Sequence, residues 1–411
     1  MRKIRFIHLS DIHIGLQTHG RLNPSTGYNT RLEDILACLD HVLETAARES
    51  ADLILIAGDV FHRENPLPAE EIEFARRIGK AAGRDGARVV IVLGNHDYSS
   101  SASGASAVEI FPALDIGGVT IARKPEVIRV ETKSGTVQVA CLPWAGRGAL
   151  LTREEYRSLS SGEIQAEIER RLIGIIHSLA GKTDPKDPAV LLAHVAARGA
   201  RLSGTETDTL STSDPVVPVT SLADPAFQYV ALGHIHGFQD LNGGNAPPVV
   251  YSGSIERIDF SEEKEKKGFV LGEISESEKG WRCAYEFRET PARRFITIDL
   301  GEIDADRREL PLPDLLSHRD TGGAVVRVRY EVGSPGEEVD EREIRSALGD
   351  AQTLRIERVF SKPRKTMRQS ELSKTMSVLD ALDKYIQSKP ELKKIASDMK
   401  SAAEKLVRED E

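Results

Sequence analysis

At 411 residues the chain is too long for one ordinary core, which sets an expectation of two or three domains. With 40% hydrophobic and 29% charged residues, and no apolar run of about 18 or more, it reads as a soluble globular chain without a spanning helix. Its net charge of −9 argues against a protein that coats nucleic acid by bulk electrostatics. A nuclease remains open, because metal ions bring local positive charge that a formal count omits.

Arg2 and Lys3 precede a short apolar stretch, but His8, Ser10 and Asp11 interrupt it and no small-residue cleavage site follows. No secretory signal is expected. Cys38, Cys141 and Cys283 are odd in number and far apart. They fit no disulfide framework or zinc knuckle and predict reduced thiols in a cytosolic protein.

Residues 4–9 form an apolar run that delivers Asp11-Ile12-His13. A loop over 15–29 follows, and from Thr30 the apolar positions Leu32, Ile35, Leu36, Leu39, Val42, Leu43 and Ala46 fall on one helical face. Residues 53–62, LILIAGDVFH, anchor the pattern: a β-branched run buried on both faces stops at Gly58-Asp59. Pro66 and Pro68 are expected in a loop, and 72–82 in a second helix. Residues 88–93 then run into Gly94-Asn95-His96-Asp97. Strand, helix, strand, helix, strand predicts a mostly parallel sheet covered by helices, with ligands at the carboxyl ends of its strands.

Residues 99–106 read as a loop near the site, and 119–121, 127–130 and 137–142 as strands of a second sheet. Residues 163–179 are helical, 190–193 lead into His194, and 198–218 form a long polar loop suited to substrate contacts. Residues 229–232 lead into Gly233-His234-Ile235-His236. Residues 249–252 and 269–274 read as strands, with the charge run 262–267 between them as a solvated turn. From about Pro291 the character changes: 295–300, 324–332 and 353–360 alternate, and 341–348 is helical. Beyond Lys362-Pro363-Arg364-Lys365 two amphipathic helices are expected, the second opening on Ser388-Lys389-Pro390-Glu391. Their apolar stripes either pack on their own domain or dock onto a partner.

Asp11, His13, Asp59, Asn95, His194, His234 and His236 are oxygen and nitrogen donors, each placed at a strand end. They are too many for one tetrahedral ion and suit two ions sharing a carboxylate, for which Asp59 is the natural bridge. Asp11-x-His13 and His234-x-His236, on extended backbone, would point both members of each pair the same way. Mixed imidazole and carboxylate ligation favours manganese, iron or zinc over calcium or magnesium. Two such ions suit in-line displacement at phosphorus. His96 reads as a general acid or a donor to phosphoryl oxygens, with Asp97 holding its tautomer. His62 either packs behind the ligands, faces substrate or is a surface residue, whereas His8, His41, His177 and His318 read as ordinary core or surface histidines.

The five strand-end motifs together carry a resemblance to a known superfamily, and four stretches carry a finer one. The four are His8-Leu9-Ser10-Asp11-Ile12-His13-Ile14-Gly15, Gly58-Asp59-Val60-Phe61-His62, Ala231-Leu232-Gly233-His234-Ile235-His236 and Tyr251-Ser252-Gly253-Ser254. Over residues 1–275 the chain resembles the calcineurin-like metallophosphoesterase superfamily, and within it the nuclease subunits of the SbcC–SbcD type. The resemblance implies an α+β fold: a four-layered β-sandwich with flanking helices over 1–289, a small α+β capping domain over 290–358, and a linker with C-terminal helices over 359–411. It implies a manganese pair (Mg2+, Fe2+ or Zn2+ as alternatives) and 3′-to-5′ double-strand exonuclease plus single-strand endonuclease activity. Asp11, His13, Asp59 and His236 would hold one ion, and Asp59, Asn95, His194 and His234 the other. His96 would be the catalytic histidine and His62 would orient DNA. The implied partners are DNA, a coiled-coil ABC-type ATPase gripped by residues 365–411, and a second copy of the chain through helix 30–48 or 72–82. The implied location is cytoplasmic. His194 is followed by Val195-Ala196-Ala197-Arg198-Gly199, a departure from the pattern that the resemblance implies. The alternative reading is a small-molecule phosphodiesterase or phosphatase of the same fold, and a third is a scaffold with a vestigial site.

Overall fold

The computed structural model describes residues 1–83, 86–98, 105–145, 159–204, 216–302, 319–332 and 341–360, together with 316, 396, 397, 399, 400 and 403. In chain order the strands of the first half are β1 (Lys3–Leu9), β2 (Leu53–Ile56), β3 (Arg88–Val92), β4 (Val119–Ala122), β5 (Glu126–Thr132), β6 (Gly135–Leu142), β7 (Ala189–His194) and β8 (Ala196–Ala197). Those of the second half are β9 (Val216–Val217), β10 (Tyr229–Gly233), β11 (Gln239–Asp240), β12 (Val249–Tyr251), β13 (Gly268–Ser277), β14 (Gly280–Glu289), β15 (Phe295–Glu302), β16 (Val325–Val332) and β17 (Thr353–Phe360).

One six-stranded sheet has the order β14-β13-β1-β2-β3-β4, and a second has the order β11-β12-β10-β7-β6-β5. The strands β1 to β4 run parallel, and β13 pairs antiparallel with β1. Alternation explains the layering. On one face of the first sheet Ile7, Leu9, Ile54, Ile56 and Ile91 pack under helices α1 (Thr30–Arg48) and α2 (Pro68–Ala81). On the other face Phe6, Leu53, Leu55, Val90 and Val92 meet Val137, Val139, Val190, Leu192 and Tyr229 of the second sheet. The outer face of that sheet buries Leu142, Leu191, Val230 and Leu232 against the helix Ser161–Ala180. Helix, sheet, sheet and helix make the four layers expected from sequence. Strands buried on both faces need apolar residues at every position, so β2 and β3 read as unbroken runs.

The order of elements departs from expectation in three places. Residues 119–121 belong to the first sheet: β4 pairs parallel with β3, and three apolar residues carry no signal for which sheet takes them. Pro68 opens α2 at its first position, where proline lacks no needed N–H, and the Glu70 side chain accepts the Leu67 N–H at 2.8 Å. Residues 280–289, assigned no strand from sequence, form β14 on the sheet edge, with Trp281, Cys283 and Tyr285 turned toward the inter-sheet core. His8 is a core residue as expected, bonded to Tyr229 Oη at 3.0 Å and Leu232 O at 3.2 Å.

The strands β15, β16 and β17 form a separate parallel sheet with its own core around Val326, Val328, Tyr330 and Ile344. It meets the main body through Phe260, Phe295 and Val325, and through Arg293 Nε, which donates to Asp34 Oδ1 at 3.0 Å. No helix among the described residues is long and apolar enough to cross a membrane. Residues 99–104 and 205–215 of the two expected loops lie outside the described residues, as does His318. So does the expected C-terminal region 361–411, apart from the five positions named above.

A buried ionic node ties α1 to the loop after β12. Arg31 is fully buried, 3.2 Å from Asp34 Oδ2 and 3.7 Å from Glu256 Oε1, and it also donates to the Arg257 carbonyl. Removing one partner of such a group strands the other charges away from water. Arg31→Ala is expected to lower stability by about 3–5 kcal/mol, read as a lower urea midpoint at an unchanged slope. A midpoint equal to the parent's would contradict this.

Candidate metal centre

The site is built where the first two motif loops zip together. Beyond the last paired residues of β1 and β2 the chains stay in register: Asp11 N–H donates to Gly58 O at 3.1 Å, His13 N–H to Asp59 O at 3.0 Å and Ile14 N–H to Val60 O at 2.9 Å. This pairing does not use extended backbone. Asp11, His13 and Asp59 have φ of 51°, 51° and 52°, and His234 has 101°. The extended geometry expected for Asp11-x-His13 and His234-x-His236 is therefore replaced by left-handed turns. Residues other than glycine held there cost about 1–3 kcal/mol each and cluster at functional sites. Gly58, with φ of 88°, lies so close to His194 that a Cβ would enter the ring, and a Cβ on Gly94 would enter the Asp59 carboxylate.

All seven candidate ligands converge. Ligand atoms of Asp11, His13 and His236 lie within 4.8 Å of one another, and so do those of Asp11, Asp59 and His194. Asp11 belongs to both groups, and Asp59 Oδ2 faces an imidazole of each, 3.8 Å from His13 Nε2 and 3.6 Å from His194 Nε2. Asn95 Oδ1 lies 2.9 Å from His194 Nε2 and 3.1 Å from His234 Nδ1. Asp11, His13, Asp59, His194, His234 and His236 are all buried, and Asn95 is half-buried.

The donor set fits a cation. The Ala57 carbonyl lies 2.7 Å from His194 Nδ1 and only accepts, so that nitrogen carries the proton. Burial holds the His194 imidazole below its ordinary pKa, against the opposing pull of Asp59. Its Nε2 then presents a lone pair to the Asn95 and Asp59 oxygens, which are acceptors too. The same holds at His236: Nδ1 donates to Glu262 Oε1 at 2.9 Å, and Nε2 faces His13 Nε2 at 3.3 Å. Lone pairs gathered on one point, out of water, call for an electron-pair acceptor. Burial, with His96 and His236 adding to it, drives the His13 pKa well down. Asp59 ends below its ordinary value because His194 and His96 outweigh the burial that would raise it.

The flanking residues divide. His96 Nδ1 donates to the His62 carbonyl at 2.8 Å, and its ring stacks on His62 and meets His13 edge-on. His62 is half-buried, with Nδ1 3.5 Å from His13 Nδ1. Asp97 does not hold the His96 tautomer. Its carboxylate accepts the N–H groups of Gly94 at 3.0 Å, Val60 at 3.3 Å and Phe61 at 3.2 Å. Burial and then the nearby Asp59 charge push it up to about 7. It braces the 94–97 turn against the loop after β2.

Several site residues escape a motif reading. Trp144 packs on His234 and His194, with ring centroids 4.9 and 5.9 Å away. Ser10 donates to Asp11 Oδ2 at 2.5 Å and lies 2.9 Å from Ser252 Oγ. Glu262 and Lys267, expected in a solvated turn, are buried. Of these, Ser10 and the Ser252-Gly253-Ser254 stretch lay within the sequence stretches that carry the resemblance, and Trp144, Glu262 and Lys267 had no signal.

A family model described as calcineurin-like phosphoesterase matches residues 4–238, more than half of the chain and every candidate ligand. The chain belongs to the calcineurin-like phosphoesterase family. Membership makes it a metal-dependent phosphodiester hydrolase, on a fold that carries a dinuclear divalent-metal site. Among curated relatives, the SbcD component of the SbcCD nuclease of Rhodobacter capsulatus is 28% identical over 329 residues, covering 76% of this chain and 77% of the relative. The uncharacterized metallophosphoesterase YhaO of Bacillus subtilis is 25% identical over 289 residues, 69% of this chain and 60% of the relative. The DNA double-strand break repair protein Mre11 of Archaeoglobus fulgidus is 24% identical over 337 residues, 79% of this chain and 67% of the relative.

Within this phosphoesterase site Asp97→Asn is expected to lower stability by about 1–3 kcal/mol, since an amide N–H₂ would face backbone donors. The check is thermal unfolding of the metal-free protein, and no shift in midpoint would contradict the bracing role.

Proposed function

We propose that this phosphoesterase is a manganese-dependent DNA nuclease, acting as a 3′-to-5′ double-strand exonuclease and a single-strand endonuclease in break repair. The observation that carries the reading is the reach of the nuclease likeness. The match to the Rhodobacter SbcCD nuclease component covers 76% of the chain, which extends it into the β15–β17 unit wherever it begins. A small-substrate phosphodiesterase needs only the core. The units proposed are 1–289 for the nuclease, 290–358 for a cap and 359–411 for a linker and partner-binding helices; separate cores support the first boundary.

Asp11, His13, Asp59 and His236 would hold one divalent ion, and Asp59, Asn95, His194 and His234 the other. When bound, such a pair withdraws charge from phosphoryl oxygens. The chain itself supplies the rest. His96, with Nδ1 tied to the His62 carbonyl, exchanges a proton only at Nε2, which suits it to protonate a leaving-group oxygen or to donate to a phosphoryl oxygen. Asp97 keeps the His96 turn against Val60 and Phe61. His62 lends its carbonyl to His96 and stacks its ring on that imidazole, from where it would orient DNA.

With manganese, linear duplex DNA is expected to be degraded faster than a nitrophenyl phosphodiester. The second reading, a small-molecule phosphodiesterase, draws on a family match over 4–238 that already contains the whole ligand set. Hydrolysis of the nitrophenyl substrate alone would establish it instead. His96→Ala is expected to keep bound manganese and lose about 10²–10⁴-fold in turnover. Loss of metal, measured by plasma emission, would make His96 a ligand.

The proposed partners beyond DNA are a coiled-coil ATPase of the SbcC type, bound through residues 365–411, and a second copy. Exposed Leu67 and Ile72 on and beside α2, 50% and 54% accessible, support the latter. Deleting 365–411 is expected to abolish capture of the ATPase in a pull-down while duplex hydrolysis persists. Undiminished capture would move the contact elsewhere.

A further inference from the structure

The two ends of the charge run 262–267, Glu262 and Lys267, are buried beside the candidate metal centre. Glu262 is fully buried and Lys267 is 2% exposed. The two oxygens of Glu262 have different partners. Oε1 accepts from His236 Nδ1 at 2.9 Å. Oε2 accepts the Ile258 N–H at 2.8 Å and lies 2.8 Å from Lys267 Nζ. The ammonium spends its other protons on His236 O at 3.0 Å and Glu265 Oε2 at 2.8 Å. One ion pair therefore grips His236 at both its ring and its carbonyl. Glu262 lies beyond residue 238, where the family model ends.

The segment bearing Glu262 is the one the small sheet holds. Glu262 closes a single 3-10 turn, Phe260–Glu262. The Phe260 ring packs edge-on to Phe295 of β15 at 4.9 Å and lies under the Arg327 guanidinium of β16 at 4.3 Å. The next side chain, Glu263, accepts the Thr297 N–H of β15 at 2.9 Å.

We propose that Glu262 is a positioning residue: it fixes the tautomer of His236 that turns Nε2 toward the metal pair, and its turn ties that imidazole to the β15–β17 unit. This rests on the reading of His236 as a metal ligand. The chemistry of the two oxygens makes the role testable. In Glu262→Gln two donors, the Lys267 ammonium and the Ile258 N–H, compete for the single amide oxygen. The amide N–H₂ is then left facing His236 Nδ1. That nitrogen must accept, and the ring proton moves to Nε2, where it blocks a ligand lone pair.

The experiment uses the full chain, stripped of metal. Long-range 15N–1H correlation spectra report the tautomer of His236, assigned by the signal lost in His236→Gln. Calorimetric titration with manganese reports affinity. The wild type is expected to show Nδ1–H, and Glu262→Gln to show Nε2–H with manganese bound about 10–100-fold more weakly at one of the sites. Glu262→Gln retaining Nδ1–H and wild-type manganese affinity overturns the proposal. So does an Nε2–H tautomer in the wild type, which decides the matter if the variant does not fold. A wild-type chain that binds no manganese overturns the nuclease reading and this inference with it. Wild-type binding matched by the variant overturns this inference alone.

Discussion

The pairing of the loops after β1 and β2 is the constraint on which the site depends. Two parallel strands deliver Asp11, His13 and Asp59 to one edge, but strands alone would alternate their side chains. The three hydrogen bonds that carry the pairing past the strand ends pass through left-handed residues. Left-handed backbone re-aims each side chain inward at a cost that the surrounding sheet must bear. The sheet can bear it because the strands behind the loops are buried on both faces, with Leu53, Ile54, Leu55 and Ile56 all at zero exposure. The core lends rigidity to a few strained residues.

The second constraint is electrostatic. Six buried candidate ligands present lone pairs or negative charge to one small volume, in which the described residues place no lysine or arginine contact to Asp11 or Asp59. Cations held elsewhere have other duties: Arg31 serves Asp34 and Glu256, and Lys267 serves Glu262 and Glu265. A folded chain that gathers carboxylates and imidazole lone pairs out of water, with no cationic side chain against them, is stabilised by bound ions. The family's divalent pair answers that demand.

Much of this was legible in sequence because the candidate ligands follow apolar runs. A strand buried on both faces leaves an unbroken string of Val, Ile and Leu, and the first polar residue after it marks the sheet edge. That logic found Asp11, Asp59, Asn95, His194 and His234 and the strands behind them; the four-layered arrangement came from the family resemblance. It failed where composition and environment part company. The run 262–267 looks solvated because its charges are counted singly; in space Glu262, Lys267 and His236 neutralise and saturate one another. Asp97 sits beside His96 in the chain, yet backbone geometry turns its carboxylate to three N–H groups on its own and the neighbouring loop. Adjacency along the chain is a poor guide to contact once a turn intervenes.

The same distinction bears on the small sheet. Its strands alternate apolar and polar residues, so its existence could be read directly, whereas its attachment could not. The joint is made by Phe260, Phe295 and Val325 with Arg293 reaching Asp34, residues from widely separated segments with no shared motif. Phe260 also stands two residues from Glu262, which touches His236. A displacement of the sheet must therefore either break the Phe260 and Glu263 contacts or move the turn that carries Glu262. Because buried contacts of this kind have few alternative arrangements, the position of the small unit and the aim of one candidate ligand are mechanically linked.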